Sequence, residues 1–404
     1  MEPMPSSLTV KEIKQKLLKF HKDRGYRIFD SFPLISNDPT VMFINATITP
    51  FKSWFTDKSV RPQNFALIQG CLRTGGASDI EVVGVNPYYF TFFEMFGSGT
   101  FNITHTEAVA YLLELLAFLG IEKEHLYFTI PVNEEFYSAL RLNKVDEDRI
   151  FKLEKNGYFW QEWRFGVPGP IGHGITVIFA HSSQKVKSIE ELAGNPNQYV
   201  ELLNLIYVHS QTLPDGKLLP VPNPGFDLGI GIERLAAVLQ GCDCYHIDTI
   251  SPLLQIVKDF LLKNGIEPND TIVRICVDHF RAIYILLSEG VIPSNKKHGY
   301  VLRKLIRRFF EFIWSTAGYP ISIDELIQSL SSVLKNQGFG IVANIESDIL
   351  EKIKREEVAL LNILQRVNQI IQRHHNISPQ ILYSTYGISE KLRELAERKS
   401  ISRK

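Results

Sequence analysis

The stretch "GFDLGIGIERL", Gly225–Leu235, holds a strand-like run and the start of a helix within eleven residues. Gly229 and Gly231 sit two apart on the strand-like part, where the missing side chain lets a ligand approach backbone that a Cβ would shield. Arg234 opens the helix that continues through "RLAAVLQ" and supplies a fixed cation. Asp227, just before the glycines, pairs with a ligand ammonium or serves as a cap or turn residue, because a buried carboxylate without a partner is costly.

Upstream, "CLRTGG" (Cys71–Gly76) places Arg73 at the end of a predicted strand, with glycines freeing the backbone beyond it. A planar, permanently charged guanidinium there suits an anionic phosphoryl centre, to which it donates parallel hydrogen bonds. A surface ion pair accounts for the arginine but not for the glycines. Phe92 offers a ring face to a nucleobase, although a Phe-rich strand is more often core. "YFWQEWRFGVPGPIGHG" (Tyr158–Gly174) is a Gly/Pro-rich loop with Trp160 and Trp163 at its entry, either a pocket lining or a plain connection.

Around these motifs the chain runs to 404 residues, 45% hydrophobic and 11% aromatic, enough for two or three domains with real cores. Lys+Arg and Asp+Glu both number 44, so no global field drives the chain onto nucleic acid or a membrane. The balance is uneven: residues 1–240 carry a net −4 and residues 241–404 a net +4, making the latter the better partner for phosphates. Four cysteines are too few for a disulfide scaffold, and no signal pattern opens the sequence, so a cytoplasmic location is expected. "GCDCYHID" (Gly241–Asp248) lacks the second ligand pair of a zinc site and reads as a loop with thiols. No apolar run reaches membrane-spanning length without interruption.

"SLTVKEIKQKLLKFHKDRG" predicts a first helix with Thr9 as N-cap, Glu12 three residues on and Gly25 as terminator, lying across a sheet. From Tyr26 to about Gln240, short runs such as "VMFINATI", "FALIQGCL", "HLYFTI" and "ITVIFAH" alternate with turn residues, interrupted by one helix at about Thr106–Leu119. Strands joined mainly by turns predict an α+β layer built on an antiparallel sheet. Beyond "GIERLAAVLQG" the chain turns helical, ending in a run where Ile345, Ile349, Ile353, Leu360, Leu364, Val367 and Ile371 keep helical spacing. Two domains are expected, 1–240 and 241–404. In the second, Arg303, Lys304, Arg307 and Arg308 form a basic stripe that either tracks an RNA backbone or is an ordinary solvated helix face.

"FINATITPFK", "CLRTGG", "FTFFEMFGSGTF", "DLGIGIERLAAVLQ", "VIPSNKKHGYVLRKLIRR" and "YSTYG", in that order, resemble the N-terminal half of an alanyl-tRNA synthetase, over about Thr9–Tyr386. The resemblance implies a class II catalytic domain, an antiparallel sheet with flanking helices, followed by an all-α tRNA-recognition domain. It implies ATP with Mg²⁺, a small amino acid and tRNA as partners, with alanine and its tRNA favoured. Arg73 resembles the arginine on the α-phosphate, Phe92 the ring on adenine and Arg234 the arginine on the γ-phosphate, with Gly231 beside it. Asp227 resembles the carboxylate that holds the α-amino group, while Trp160, Asn204, Ile206 and Gly229 match the amino-acid pocket. Asn295 resembles the residue that reads the acceptor stem from the minor groove, and Ser384 stands in the "YSTYG" motif.

The sequence departs from the family pattern at several points. Tyr88, Tyr89 and Phe90 replace Arg-His-His, Thr176 replaces a glutamate, Ala180 an aspartate, and Ser384 an aspartate. "NATIT" replaces "NAGMN" and Ile206 a valine, which tightens the pocket towards glycine or alanine. No metal-ligand set is assigned to the chain itself, and a monomer without an editing domain is expected. The leading expectation is ATP-dependent activation of a small amino acid and its transfer to tRNA. The rivals are a synthetase-derived tRNA-binding or regulatory protein without turnover, and an activating enzyme that serves a non-tRNA acceptor.

Overall fold

Thr9 caps the first helix, α1 (Val10–Lys22), through the expected capping box with Glu12, and the helix buries Val10, Ile13, Leu17, Phe20 and His21. The computed structural model describes residues 8–75, 80, 83–132, 134–153, 162–182, 185–339, 345–373, 378, 380–381 and 389–397. They cluster into two compact units, Met1–Leu72 with Phe93–Asp248, and Arg73–Phe92 with Thr249–Lys404.

The first unit is built on strands β1 (Arg27–Phe29), β2 (Phe65–Leu72), β3 (Phe92–Phe101), β4 (Leu126–Pro131), β5 (Ile150–Leu153), β6 (Trp163–Arg164), β7 (Gly169–Ala180), β8 (Tyr199–Thr212) and β9 (Leu218–Gly231). They form one sheet in the order β1-β2-β3-β9-β8-β7-β4-β5, with β6 on β7. The central pairings β3–β9, β9–β8, β8–β7 and β7–β4 are antiparallel, as expected, whereas β1–β2 and β4–β5 are parallel. Parallel neighbours need a crossover. The sequence between each such pair accordingly contains a helix, α2 (Lys52–Thr56) and α4 (Glu134–Leu142) respectively. These short helices, together with α5 (Ile189–Gly194), went unseen beside the expected one, which is α3 (His105–Phe118). "FALIQGCL" is β2 residue for residue, but "VMFINATI" contributes only a single bridge at Phe43 and is otherwise irregular.

The sheet has two unlike faces. Helices α1 and α3 cover the face that carries Phe96 and Ser98. The His21 ring lies 4.6 Å from Phe96, and the hydroxyls of Tyr111 and Ser98 are 2.9 Å apart. Over part of the opposite face lies an aromatic cluster of Phe51, Phe55 and Phe65, in which Phe51 and Phe65 stack at 3.8 Å. The rest of that face carries the candidate site. Strand β9 leads directly into α6 (Ile232–Gln240), with Gly231 as its N-cap.

The second unit contains α7 (Ser251–Lys263), α8 (Asp270–Ser288), α9 (Lys297–Ala317), α10 (Asp324–Asn336), α11 (Ile345–Arg373) and α12 (Glu390–Glu397). Helix α8 is buried nearly all round from Val273 to Leu287. Ile349, Ile353, Leu360, Leu364 and Val367 of α11 are fully buried, at the spacing read from the sequence.

Candidate active site

Directly opposed residues of an antiparallel pair point to the same face of the sheet. The register therefore lays the candidate residues out as rows across neighbouring strands. One row is Gly97, Gly229, Asn204 and Thr176; the next is Gly99, Asp227, Ile206 and Gly174; Met95 and Gly231 begin a third. Asp227, Gly229, Gly231, Asn204 and Ile206 thus share one face although they come from two strands.

The glycines in this array do different things. A Cβ on Gly97 would collide with the Thr47 side chain, and one on Gly99 with the Phe65 ring, so these two are filled by the protein itself. Above Gly229 a Cβ would meet only Met95 Sδ, at 3.5 Å, and above Gly231 only the aliphatic part of Arg234, at 3.8 Å. A Cβ at Gly229 or Gly231 would make only ordinary van der Waals contacts. This separates glycines that tolerate a side chain from packing glycines, which sequence spacing does not.

Asp227 is buried, and its Oδ1 has no hydrogen-bond partner among the described residues. Burial pushes its carboxyl up to about 7, because the ionised form has lost its water without gaining a counter-charge. Beside it a hydrogen-bonded chain crosses the floor. Thr176 Oγ1 donates to Asn204 Oδ1 at 2.6 Å, and Asn204 Nδ2 donates to Glu201 Oε1 at 3.0 Å. Arg234 Nη1 donates to the Glu201 carbonyl at 3.0 Å and lies 3.6 Å from Glu201 Oε2. Glu201 reaches this face through a register shift in the β7–β8 ladder between Val177 and Ile178, which turns it towards Asn204. Sequence reading missed Glu201, and no local signal marks the bulge. Thr176, in the family's glutamate position, completes this chain, and Ala180 is buried in a different cluster with Tyr127 and Tyr199.

Phe92 requires a correction. It is 2% exposed, sets its ring edge-on to Phe339 at 5.7 Å, and lies 5.5 Å from the Arg281 guanidinium. Strand alternation turns Phe93, not Phe92, to the face of Met95 and Gly97, and Phe93 is only half-buried. The period-two pattern from Phe93 to Gly97 and Gly99 is the signal that identifies it. Arg73 is exposed, and its backbone N–H donates to the Thr91 carbonyl at 2.9 Å. Phe90, in the slot of a family histidine, packs under Arg281 at 5.2 Å.

The basic helix also differs from expectation. Arg303 holds Glu356 of α11 through Nε and Nη2, at 3.0 and 2.8 Å, and its Nη1 donates to Asn295 Oδ1. Arg308 donates to the Ile80 carbonyl at 3.0 Å and to His279 Nε2 at 3.3 Å. Both arginines therefore bind inside the helical unit and do not belong to a solvated stripe, because α9 packs on several sides and its flanks are covered as well. Lys304 and Arg307 are half-buried, and Arg307 Nε has no hydrogen-bond partner among the described residues. Burial lowers the Arg307 guanidinium from its ordinary value. Asn295 is exposed at the turn before α9. Trp160 and Ser384 lie outside the described residues.

A sheet with a central antiparallel set, carrying a buried carboxylate, open glycines and an anchored arginine on one face, is the core of a class II synthetase. The family model described as tRNA synthetases class II (A) matches residues 12–402, and the chain belongs to that family. Its similar curated relatives include alanine–tRNA ligases. The alanine–tRNA ligase of Solibacter usitatus is 35% identical over 317 residues, covering 74% of this chain and 36% of that protein. That of Sulfurimonas denitrificans is 29% identical over 402 residues, covering 95% and 46%. That of Myxococcus xanthus is 32% identical over 396 residues, covering 91% and 43%. The chain spans less than half the length of these relatives.

Proposed function

We propose that the chain activates a small amino acid, alanine by preference, with ATP and transfers it to tRNA in the cytoplasm. The observation that carries this reading is Asp227: a buried carboxylate with an oxygen unpartnered among the described residues, on the same sheet face as Gly229 and Gly231, where a Cβ would meet no clash. An α-ammonium group would supply the missing charge and hydrogen bonds. Ile206 shares the face of Asp227, and Asn204 is held in one orientation by Thr176 and Glu201.

In this reaction the amino-acid carboxylate attacks the α-phosphorus of ATP in line and pyrophosphate leaves. A terminal ribose hydroxyl of tRNA then attacks the carbonyl carbon of the adenylate, losing its proton as the acyl–phosphate bond breaks and AMP leaves, so no side chain has to act as nucleophile. Catalysis is positioning and charge stabilisation, with Arg73 assigned to the α-phosphate, Arg234 to the γ-phosphate and Phe93 to the adenine ring. Among the described residues no group of three or more His, Cys, Asp or Glu side chains is placed to hold a metal ion. Magnesium carried on nucleotide phosphates needs only one or two protein carboxylates, and Glu201, beside Arg234, fits that requirement. The ion would neutralise phosphate charge; Arg234, already anchored on Glu201, brings a fixed cation to the same task. Asn295, Lys304 and Arg307 are the residues offered to the tRNA.

The test is amino-acid-dependent exchange of pyrophosphate into ATP with alanine, glycine and serine. Exchange with alanine is expected, and its loss in Asp227→Asn. Absence of exchange with all three would leave binding without turnover as the reading. Charging of total tRNA then separates a tRNA acceptor from any other.

A further inference from the structure

We propose that Thr91 and Asp278 are positioning residues for Arg73, fixing the backbone from which its guanidinium projects. The inference rests on the functional reading above, in which Arg73 meets ATP. Thr91 and Asp278 lie 187 residues apart in sequence, and both are fully buried. Thr91 donates twice to the one carboxylate, from its N–H to Oδ1 at 2.7 Å and from its hydroxyl to Oδ2 at 2.6 Å. His279 contributes a third bond, Nδ1–H to Oδ2 at 3.0 Å. Its tautomer is set by Arg308, whose Nε donates to His279 Nε2 at 3.3 Å. A buried carboxylate is tolerated when its lone pairs are used in this way.

The clamp reaches Arg73 in one further step. The Thr91 carbonyl accepts the Arg73 N–H at 2.9 Å, so the residue gripped by Asp278 is the one that holds the Arg73 backbone. One helical turn along α8, Arg281 Nη1 donates to the Phe92 carbonyl at 3.2 Å, pinning the next residue of the segment from the same helix. From α9, Arg308 Nη2 donates to the Ile80 carbonyl, so described residues of this stretch are held from two helices. Within hydrogen-bond reach of a substrate, a misplacement of about 1 Å can cost on the order of a hundredfold in rate. The buried clamp fixes the backbone from which the exposed Arg73 side chain projects.

The experiment uses the full chain and four variants: Thr91→Val, Thr91→Ser, Arg73→Ala, and Thr91→Val combined with Arg73→Ala. Each is measured for ATP binding by calorimetry and for pyrophosphate exchange. Thr91→Val removes one hydroxyl at nearly constant volume. It is expected to lower kcat/KM for ATP about tenfold while leaving the amino-acid KM unchanged. Thr91→Ser restores the hydroxyl and the rate. In the Arg73→Ala background, Thr91→Val is expected to add nothing, since its effect runs through the missing guanidinium. Additive losses, or equal losses for ATP and amino acid that follow the melting temperature, overturn the proposal in favour of a purely structural clamp. Wild-type protein that binds ATP without exchange overturns the enzymatic reading alone, and the same comparison is then read in ATP affinities. Wild-type protein that binds no ATP overturns both.

Discussion

Replacing Asp227 by asparagine should make the protein more stable and useless to its amino acid at the same time. Burial raises the Asp227 carboxyl from 3.8 to about 7. That displacement corresponds to roughly 4 kcal/mol of destabilisation once the group is ionised in the folded state. The sign follows from proton counting. Between pH 4 and 7 the unfolded chain has released this proton and the folded chain has not, so stability falls as pH rises through that window and levels off above it. The amide of the variant carries no charge to bury, and the decline should shrink. Denaturant titrations of wild type and Asp227→Asn from pH 4 to pH 8 should diverge, with the variant gaining up to about 4 kcal/mol at pH 8. Exchange activity should behave in the opposite way. The ammonium group needs the ionised carboxylate, so the wild-type amino-acid KM should rise as pH falls below about 7, and the variant should lose amino-acid binding at every pH. Saturating amino acid should also restore wild-type stability, because it supplies the counter-charge. Parallel stability curves for the two proteins, or an unaltered amino-acid KM in the variant, would refute the assignment of a buried carboxylate waiting for a cation.

Three further outcomes are expected. Gly229→Ala should fold normally, its Cβ meeting only Met95 Sδ, yet raise the amino-acid KM about tenfold, whereas Gly174→Ala should lose about 3 kcal/mol or more because its Cβ runs into the Leu205 carbonyl; melting temperatures and exchange kinetics separate the two. Phe92→Ala should cost about 3–5 kcal/mol of stability through the cavity beside Phe339, while Phe93→Ala should spare stability and raise the ATP KM, as thermal melts with exchange assays will show. Acid should unfold the chain as its buried histidines charge: His21 and His173 are both lowered to about 4, chiefly by burial, so the stability their neutral forms contribute is complete above pH 6.5 and lost as pH falls towards 4. His173→Gln should flatten that acid limb, measured by denaturant titration at pH 4 to 7.

Several features could be read from residue order because their causes are local. The Thr9–Glu12 box starts a helix whatever surrounds it, and the short apolar run Phe65–Leu72, bounded by turn residues, is a largely buried strand. Motif spacing was enough to place Asp227, Gly229 and Arg234 together, since all three lie along a single strand-to-helix passage. Short helices such as α4 carry too few residues for a clear period, and the parallel edges they create were unseen for that reason.

What the sequence determined, then, is whatever neighbours along the chain settle among themselves: caps, periods, and the identity of groups able to bind an ammonium or a phosphate. The tertiary structure decided which of those groups are available. Only packing shows that Arg303 and Arg308 are committed to Glu356 and Ile80, that Phe92 is core while Phe93 shares the sheet face of Gly97, and that a bulge brings Glu201 to Arg234. Only packing leaves Asp227 buried with Oδ1 unanswered among the described residues, the feature on which the proposed ammonium site rests. The physical reason is that burial and hydrogen-bond satisfaction are properties of partners far apart in the chain, and linear order does not contain them.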